Sequence, residues 1–185
     1  MRQALLVMDM QNGIVTRVGD QAPALLANLE RAVATARGRA TPVIFVRVAF
    51  RRGAPEISER NRSFAALAAG TPMDEDAEST QIDPRLAPRD DEPLVTKPRV
   101  SAFTGSDLEV ILRSFDVDHL VLTGIATSGV VLSTIRQAAD MDYRLSVLSD
   151  GCADADPEVH RVLTQKVFPR QARVVSVDEW IATPT

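Results

Sequence analysis

Apolar residues fall along this chain in short unbroken blocks, separated by stretches in which they recur at helical spacing. Gln3–Asp9 is a continuous apolar run ending in a carboxylate, the pattern of a central parallel strand buried on both faces. Leu25, Leu26, Leu29, Val33 and Ala36 share one face of a helix predicted over Ala22–Arg39, and Pro23 suits its first turn. Val43–Val48, rich in β-branched residues, reads as a second strand and Leu94–Thr96 as a short third, leading to Lys97. Ser106-Asp107-Leu108-Glu109 has the spacing of a capping box opening a helix to Phe115. His119–Thr123 is the fourth strand, Ser128–Met141 the helix after it, and Tyr143–Leu148 the fifth strand. Asp156-Pro157 launches a helix over Glu158–Phe168, and Ala172–Val177 is the last strand, followed by a short piece carrying Trp180 as a docking residue. Strands alternating with helices predict an α/β chain: three layers, α/β/α, around a central, mostly parallel sheet.

The segment Phe50–Glu92 breaks this rhythm. It is dense in Arg, Gly, Pro and Asp, with helical spacing only at Arg62–Ala69. Excursions of this length are either lids and arms or solvated loops, and the pattern fits both. The chain of 185 residues reads as one domain, residues 1–185, with this loop or arm at about 50–92.

Composition narrows the function classes. A net charge of -4 with interspersed signs gives no footprint for nucleic acid or an anionic membrane. No apolar run approaches the roughly 20 residues of a membrane helix, and the short N-terminal run ending in Asp9 does not suit a signal peptide, so a cytoplasmic protein is expected. One cysteine, Cys152, excludes an intrachain disulfide, and the two histidines, His119 and His160, do not suggest a metal centre. No metal and no cofactor are expected. The expected partner is a small-molecule substrate or ligand.

Three polar features stand where apolar strands end: Asp9, Lys97 and the turn Gly124–Val130. In a doubly wound sheet such ends lie side by side, and ligands bind outside them. A carboxylate beside an ammonium can hold or shuttle a proton. Taken singly, Asp9 could cap a turn and Lys97 could be a surface residue; their joint placement favours a site.

The ordered motifs Asp9-Met10-Gln11-Asn12, Lys97 with Ser101-Ala102-Phe103 and Asp107-Leu108, and Leu122-Thr123-Gly124-Ile125-Ala126-Thr127 leading to Ser133-Thr134 resemble the isochorismatase-like hydrolases, a superfamily that includes nicotinamidases and N-carbamoylsarcosine amidohydrolases. Asp150 and Cys152-Ala153 resemble its Asp-x-Cys-Ala stretch. The resemblance implies a three-layer fold, a homo-oligomer, and a triad of Asp, Lys and Cys, the first two mapping onto Asp9 and Lys97. It also implies a cis peptide at Ile125–Ala126 and an oxyanion site from the backbone N–H groups of Ala126 and Val130. Ile125, Ala126, Thr127, Gln11 and Phe103 are the implied substrate and oxyanion residues. The count that reaches the family's nucleophilic cysteine lands here on Val130, and a valine cannot form an acyl intermediate. Cys152 maps instead onto a second, structural cysteine. Ser128 and Ser133 are neighbouring hydroxyls with no histidine placed by motif to activate them. The resemblance implies no Asp-His-His metal set in this sequence.

Arg47, Arg51, Arg52, Arg60 and Arg62 flank or lie in the long loop; one turned into the pocket would select an acidic substrate. Phe64 and Phe103 suit either pocket wall or core. Two functions are therefore expected as alternatives: a hydrolase in which Asp9 works as general acid or base with Lys97 and no covalent step, or an inactive relative that binds small molecules or serves as an oligomeric scaffold. An amidase with another nucleophile ranks below both. The turn Ile125-Ala126-Thr127-Ser128 differs from the Tyr-Ala-His type of the isochorismatase branch itself.

Overall fold

The computed structural model describes residues 2–68, 70 and 72–183. Six parallel strands form one sheet: β1 (Gln3–Met8), β2 (Val43–Val48), β3 (Leu94–Lys97), β4 (His119–Ile125), β5 (Arg144–Ala153) and β6 (Arg173–Val175), in the order β3-β2-β1-β4-β5-β6. The chain moves outward one way from β1 through β2 and β3, then crosses to β4 and moves outward the other way. The strand order thus reverses between β1 and β4, the place where such sheets open a crevice.

Both sheet faces are covered, because every central strand is apolar on both sides. Along β1, Leu5 and Val7 enter one core, with Leu25, Leu29 and Val33 of α2 (Ala22–Gly38) and Trp180 of α7 (Val177–Ala182). Ala4, Leu6 and Met8 enter the other, with Leu108 and Leu112 of α4 (Leu108–Ser114) and Ile135 and Ala138 of α5 (Leu132–Asp140). Trp180 docks as expected, with the Arg39 guanidinium 5.4 Å from its ring centroid. Among the described residues no helix is long and apolar enough to cross a membrane.

Several boundaries differ from the sequence reading. The first strand stops at Met8 because Asp9 turns into the left-handed region, φ 54°. A short helix, α1 (Asn12–Val15), and a 3₁₀ segment, Thr16–Gln21, follow without a strong apolar period to announce them. The capping box at Ser106 does not form: Ser106 Oγ accepts from Leu108 N at 3.3 Å, but Glu109 turns to Arg113. The box forms instead at Ser176, whose Oγ accepts from Glu179 N at 3.1 Å while Glu179 accepts from Ser176 N at 2.7 Å. It opens α7 and cuts the last strand to Arg173–Val175. The fourth and fifth strands run on past Thr123 and Leu148, with an irregularity in their register between Leu122 and Gly124. Asp156 caps as expected, accepting from Glu158 N and Val159 N, but the helix it opens, α6 (Pro157–Val162), is short and passes into a π turn, Leu163–Val167.

The segment 50–92 holds α3 (Arg62–Ala68); the expected helix end at Ala69 lies outside the described residues. This segment is no solvated excursion. Phe64, Met73, Thr80 and Leu86 are buried, and Gln11 clamps it, donating from Nε2 to Val48 O at 2.9 Å and Thr80 O at 3.1 Å.

Candidate functional site

At the end of β1, Asp9 N donates to Val46 O at 2.8 Å, which fixes the left-handed turn and aims the carboxylate over the sheet edge. Lys97, at the end of β3, reaches it across the tip of β2: Nζ lies 2.9 Å from Asp9 Oδ2 and donates to Arg99 O at 3.0 Å. Both residues are buried, Asp9 to 6% and Lys97 to 1% exposure. Asp9 Oδ1 has no hydrogen-bond partner. Burial raises the proton affinity of Asp9, Lys97 opposes that by charge and hydrogen bond, and burial wins: the carboxyl is held above its ordinary range.

The third part is the turn after β4. Gly124 pairs with Met8 so closely that a Cβ there would stand 2.0 Å from Met8 O. The peptide Ile125–Ala126 is cis, as the resemblance implied. A π turn, Thr127–Val131, then carries the chain into α5, with Gly129 N and Val131 N converging on Ala126 O at 3.0 and 3.3 Å. Two side chains brace it. Asp154 Oδ2 accepts from Ser128 N at 2.8 Å, and Thr127 Oγ1 lies 2.8 Å from His160 Nδ1. Burial lowers the proton affinity of His160, favouring the neutral ring. Neither brace was foreseen. Asp154 follows the Asp-x-Cys-Ala stretch by one residue and His160 sits one turn into α6, so only the strand order brings them here.

These parts enclose a cavity of about 350 Å³. Of the residues singled out in the sequence, Asp9, Lys97, Ile125, Ala126 and Val130 line it. Three other expected residues do not. Gln11 spends its amide on the backbone, its Oε1 accepting from Val48 N at 2.8 Å. Thr127 is fully buried on His160. Phe103 packs in the core, its ring centroid 6.0 Å from that of Tyr143, whereas Phe64 of α3 does form cavity wall. The arginines near the loop also stay out. Arg47 donates to Thr96 Oγ1 and Glu75 O, and Arg51 pairs with Glu56. The cation that reaches the cavity beside Lys97 is Arg17, from the 3₁₀ segment after α1.

Cys152 stands on β5 opposite Gly124, 5% exposed, and burial pushes its thiol up to about 12. It lines no part of the cavity, and so little thiolate near neutral pH makes it a packing residue. Ser128 and Ser133 do not line the cavity either, and His160 serves Thr127 rather than a serine. Among the described residues no group of three His, Cys, Asp or Glu side chains is placed to hold a metal ion.

A parallel sheet between two helical layers, with a buried carboxylate–ammonium pair and a cis-peptide turn at its switch point, places these polar groups where open α/β sheets bind small molecules. The isochorismatase domain matches residues 3–179, and the chain belongs to the isochorismatase family. It is 32% identical over 178 residues to the isochorismatase family protein YecD of Escherichia coli O157:H7, covering 95% of this chain and 93% of that one. It is 31% identical over 184 residues to an Arabidopsis thaliana protein named "Probable inactive nicotinamidase", covering 96% of this chain and 93% of the other. An isochorismatase family protein from Burkholderia thailandensis superposes with a TM-score of 0.84 at 29% identity, covering 96% of this chain and 92% of its own.

Proposed function

We propose that this isochorismatase-family hydrolase cleaves a small molecule without a covalent intermediate, with Asp9 moving the proton and Lys97 holding it in place. The observation that carries this is Asp9 Oδ1, buried and unpartnered at the cavity while Oδ2 is tied to Lys97. A carboxyl whose proton affinity is raised by burial holds a proton more readily than an exposed one, and so can give it to a substrate and take it back. On an enol ether, Asp9 would protonate the alkene carbon, and water would add to the resulting oxocarbenium. The proton shed by that water returns to Asp9, and the hemiacetal breaks into a carbonyl compound and an alcohol. Each proton taken is returned and no thiol is needed.

Val130 supports the non-covalent course. It lines the cavity at the position where the resemblance places a nucleophilic cysteine, and its side chain carries only methyl groups. The same residue favours the second reading, a relative that binds without turnover, for which the Arabidopsis relative's name is a precedent.

The test is turnover on a panel of enol ethers, esters and amides before and after iodoacetamide treatment. The expected result is multiple turnovers, no adduct in the intact mass, and an unchanged rate after alkylation. A rate abolished by alkylation, or an acyl adduct, overturns the non-covalent reading; no turnover on any member leaves the binding reading in its place.

A further inference from the structure

We propose that the cavity selects a small carboxylate whose inner end carries a hydrogen-bond donor: the donor meets Asp9 Oδ1, and the carboxylate meets Arg17 at the mouth. This rests on the cavity proposed above as the place where the small molecule sits, but not on turnover.

The inner end is set by Asp9. Its Oδ1 is a buried acceptor with no partner, and leaving such an atom without a hydrogen bond is costly. A ligand that brings an N–H or O–H recovers that cost; an ether oxygen or a methyl group there does not. The middle is set by Ile14, Val18, Val48, Phe64, Leu67 and Ile125, which give apolar walls from α1, the 3₁₀ segment, β2, α3 and β4. These offer no hydrogen bond from their side chains, so the body of the ligand is apolar.

The outer end is set by charge. Among the lining residues the charged ones are Asp9, Lys97 and Arg17. Lys97 is committed to Asp9 Oδ2 at 2.9 Å and to Arg99 O at 3.0 Å. Arg17 is exposed, and its side chain makes no hydrogen bond or ion pair with a described residue. Among the charged lining residues Arg17 is therefore the cation whose side chain has no partner among the described residues, in a chain whose net charge is -4. The nearby guanidinium of Arg99 is already spent, donating to Glu56 O at 3.0 Å and lying 5.9 Å from the Phe64 ring centroid. One free guanidinium fork matches a monoanionic carboxylate; a phosphate dianion would need a second free cation, and Lys97 is already engaged by Asp9 and Arg99 O.

The experiment is calorimetric titration of the full chain with three compounds. These are 4-hydroxyphenylacetate, its methyl ester, which removes the anion, and phenylacetate, which removes the donor. The acid should bind, with the ester and the donor-free acid each about tenfold weaker. Arg17→Gln should weaken 4-hydroxyphenylacetate about tenfold and leave the ester unchanged. Because Arg17 is exposed, its variant should keep the wild-type melting temperature, so the comparison reads binding alone. Equal binding of acid and ester, equal loss of both in Arg17→Gln, or no binding of any of the three overturns the proposal. Failure of hydrolysis is separable: Arg17-dependent binding without Asp9-dependent turnover leaves the selectivity standing and removes the enzyme reading, and turnover indifferent to Arg17 and to ligand charge does the reverse.

Discussion

Gly124→Ala is expected to lower the melting temperature by roughly 5–20 °C, the largest stability loss of any single methyl addition to this site. The added Cβ would stand 2.0 Å from Met8 O and 2.8 Å from Met8 C. Both atoms belong to β1, which is hydrogen-bonded on its other side to β2, so neither can withdraw without disturbing the centre of the sheet. The φ of +132° at Gly124 adds strain for any L side chain. Overpacking of this kind costs about 1–3 kcal/mol and the backbone strain about 1–2 more, against a total stability of about 5–15 kcal/mol. Thermal unfolding followed by circular dichroism measures it; a melting temperature within about 2 °C of wild type would show that β1 and β4 are less tightly apposed than described.

Lys97→Met should be at least as damaging, and in a pH-dependent way. Removing one partner of a buried ion pair leaves the other uncompensated, at a cost of about 3–5 kcal/mol. Here the orphan is Asp9, whose proton affinity burial already raises and Lys97 alone restrains. Without Lys97 its folded-state pKa rises further above the unfolded value. A carboxyl raised in this sense favours the fold when protonated, so its contribution is present at low pH and lost as pH rises through the folded pKa. The stability gap between Lys97→Met and wild type should therefore be widest near pH 8 and narrow on acidification toward pH 5. Denaturant unfolding at several pH values checks it; a gap that is constant, or that widens in acid, contradicts the assignment of the cost to Asp9.

The sheet was legible because its strands are apolar on both faces, and Val43–Val48 was read to the residue. Element ends were less so, because they are decided by single contacts. The same Ser-x-x-Glu spacing occurs at Ser106 and Ser176, and only at Ser176 does the glutamate return to the cap rather than pair along the helix with an arginine. Within the site, Asp9, Lys97 and the Gly124 turn were readable because each interrupts an apolar strand at its carboxyl end. Gln11 belonged to the same motif, but its role is to tie β2 to the long segment, a contact fixed by tertiary packing. Arg17, Asp154 and His160 lie in no periodic pattern. They reach the cavity or its turn through a 3₁₀ segment, a strand longer than its apolar block, and the first turn of α6.

Asp9→Asn keeps the shape and the hydrogen bond to Lys97 while removing the exchangeable proton, so kcat/KM across the panel of enol ethers, esters and amides tests the account at its centre. General acid–base chemistry supplies about 10²–10⁴ in rate, and the variant should lose that much on every substrate the wild type turns over, with its circular dichroism spectrum unchanged. Turnover that survives Asp9→Asn within a few-fold would contradict the assignment of the proton to Asp9.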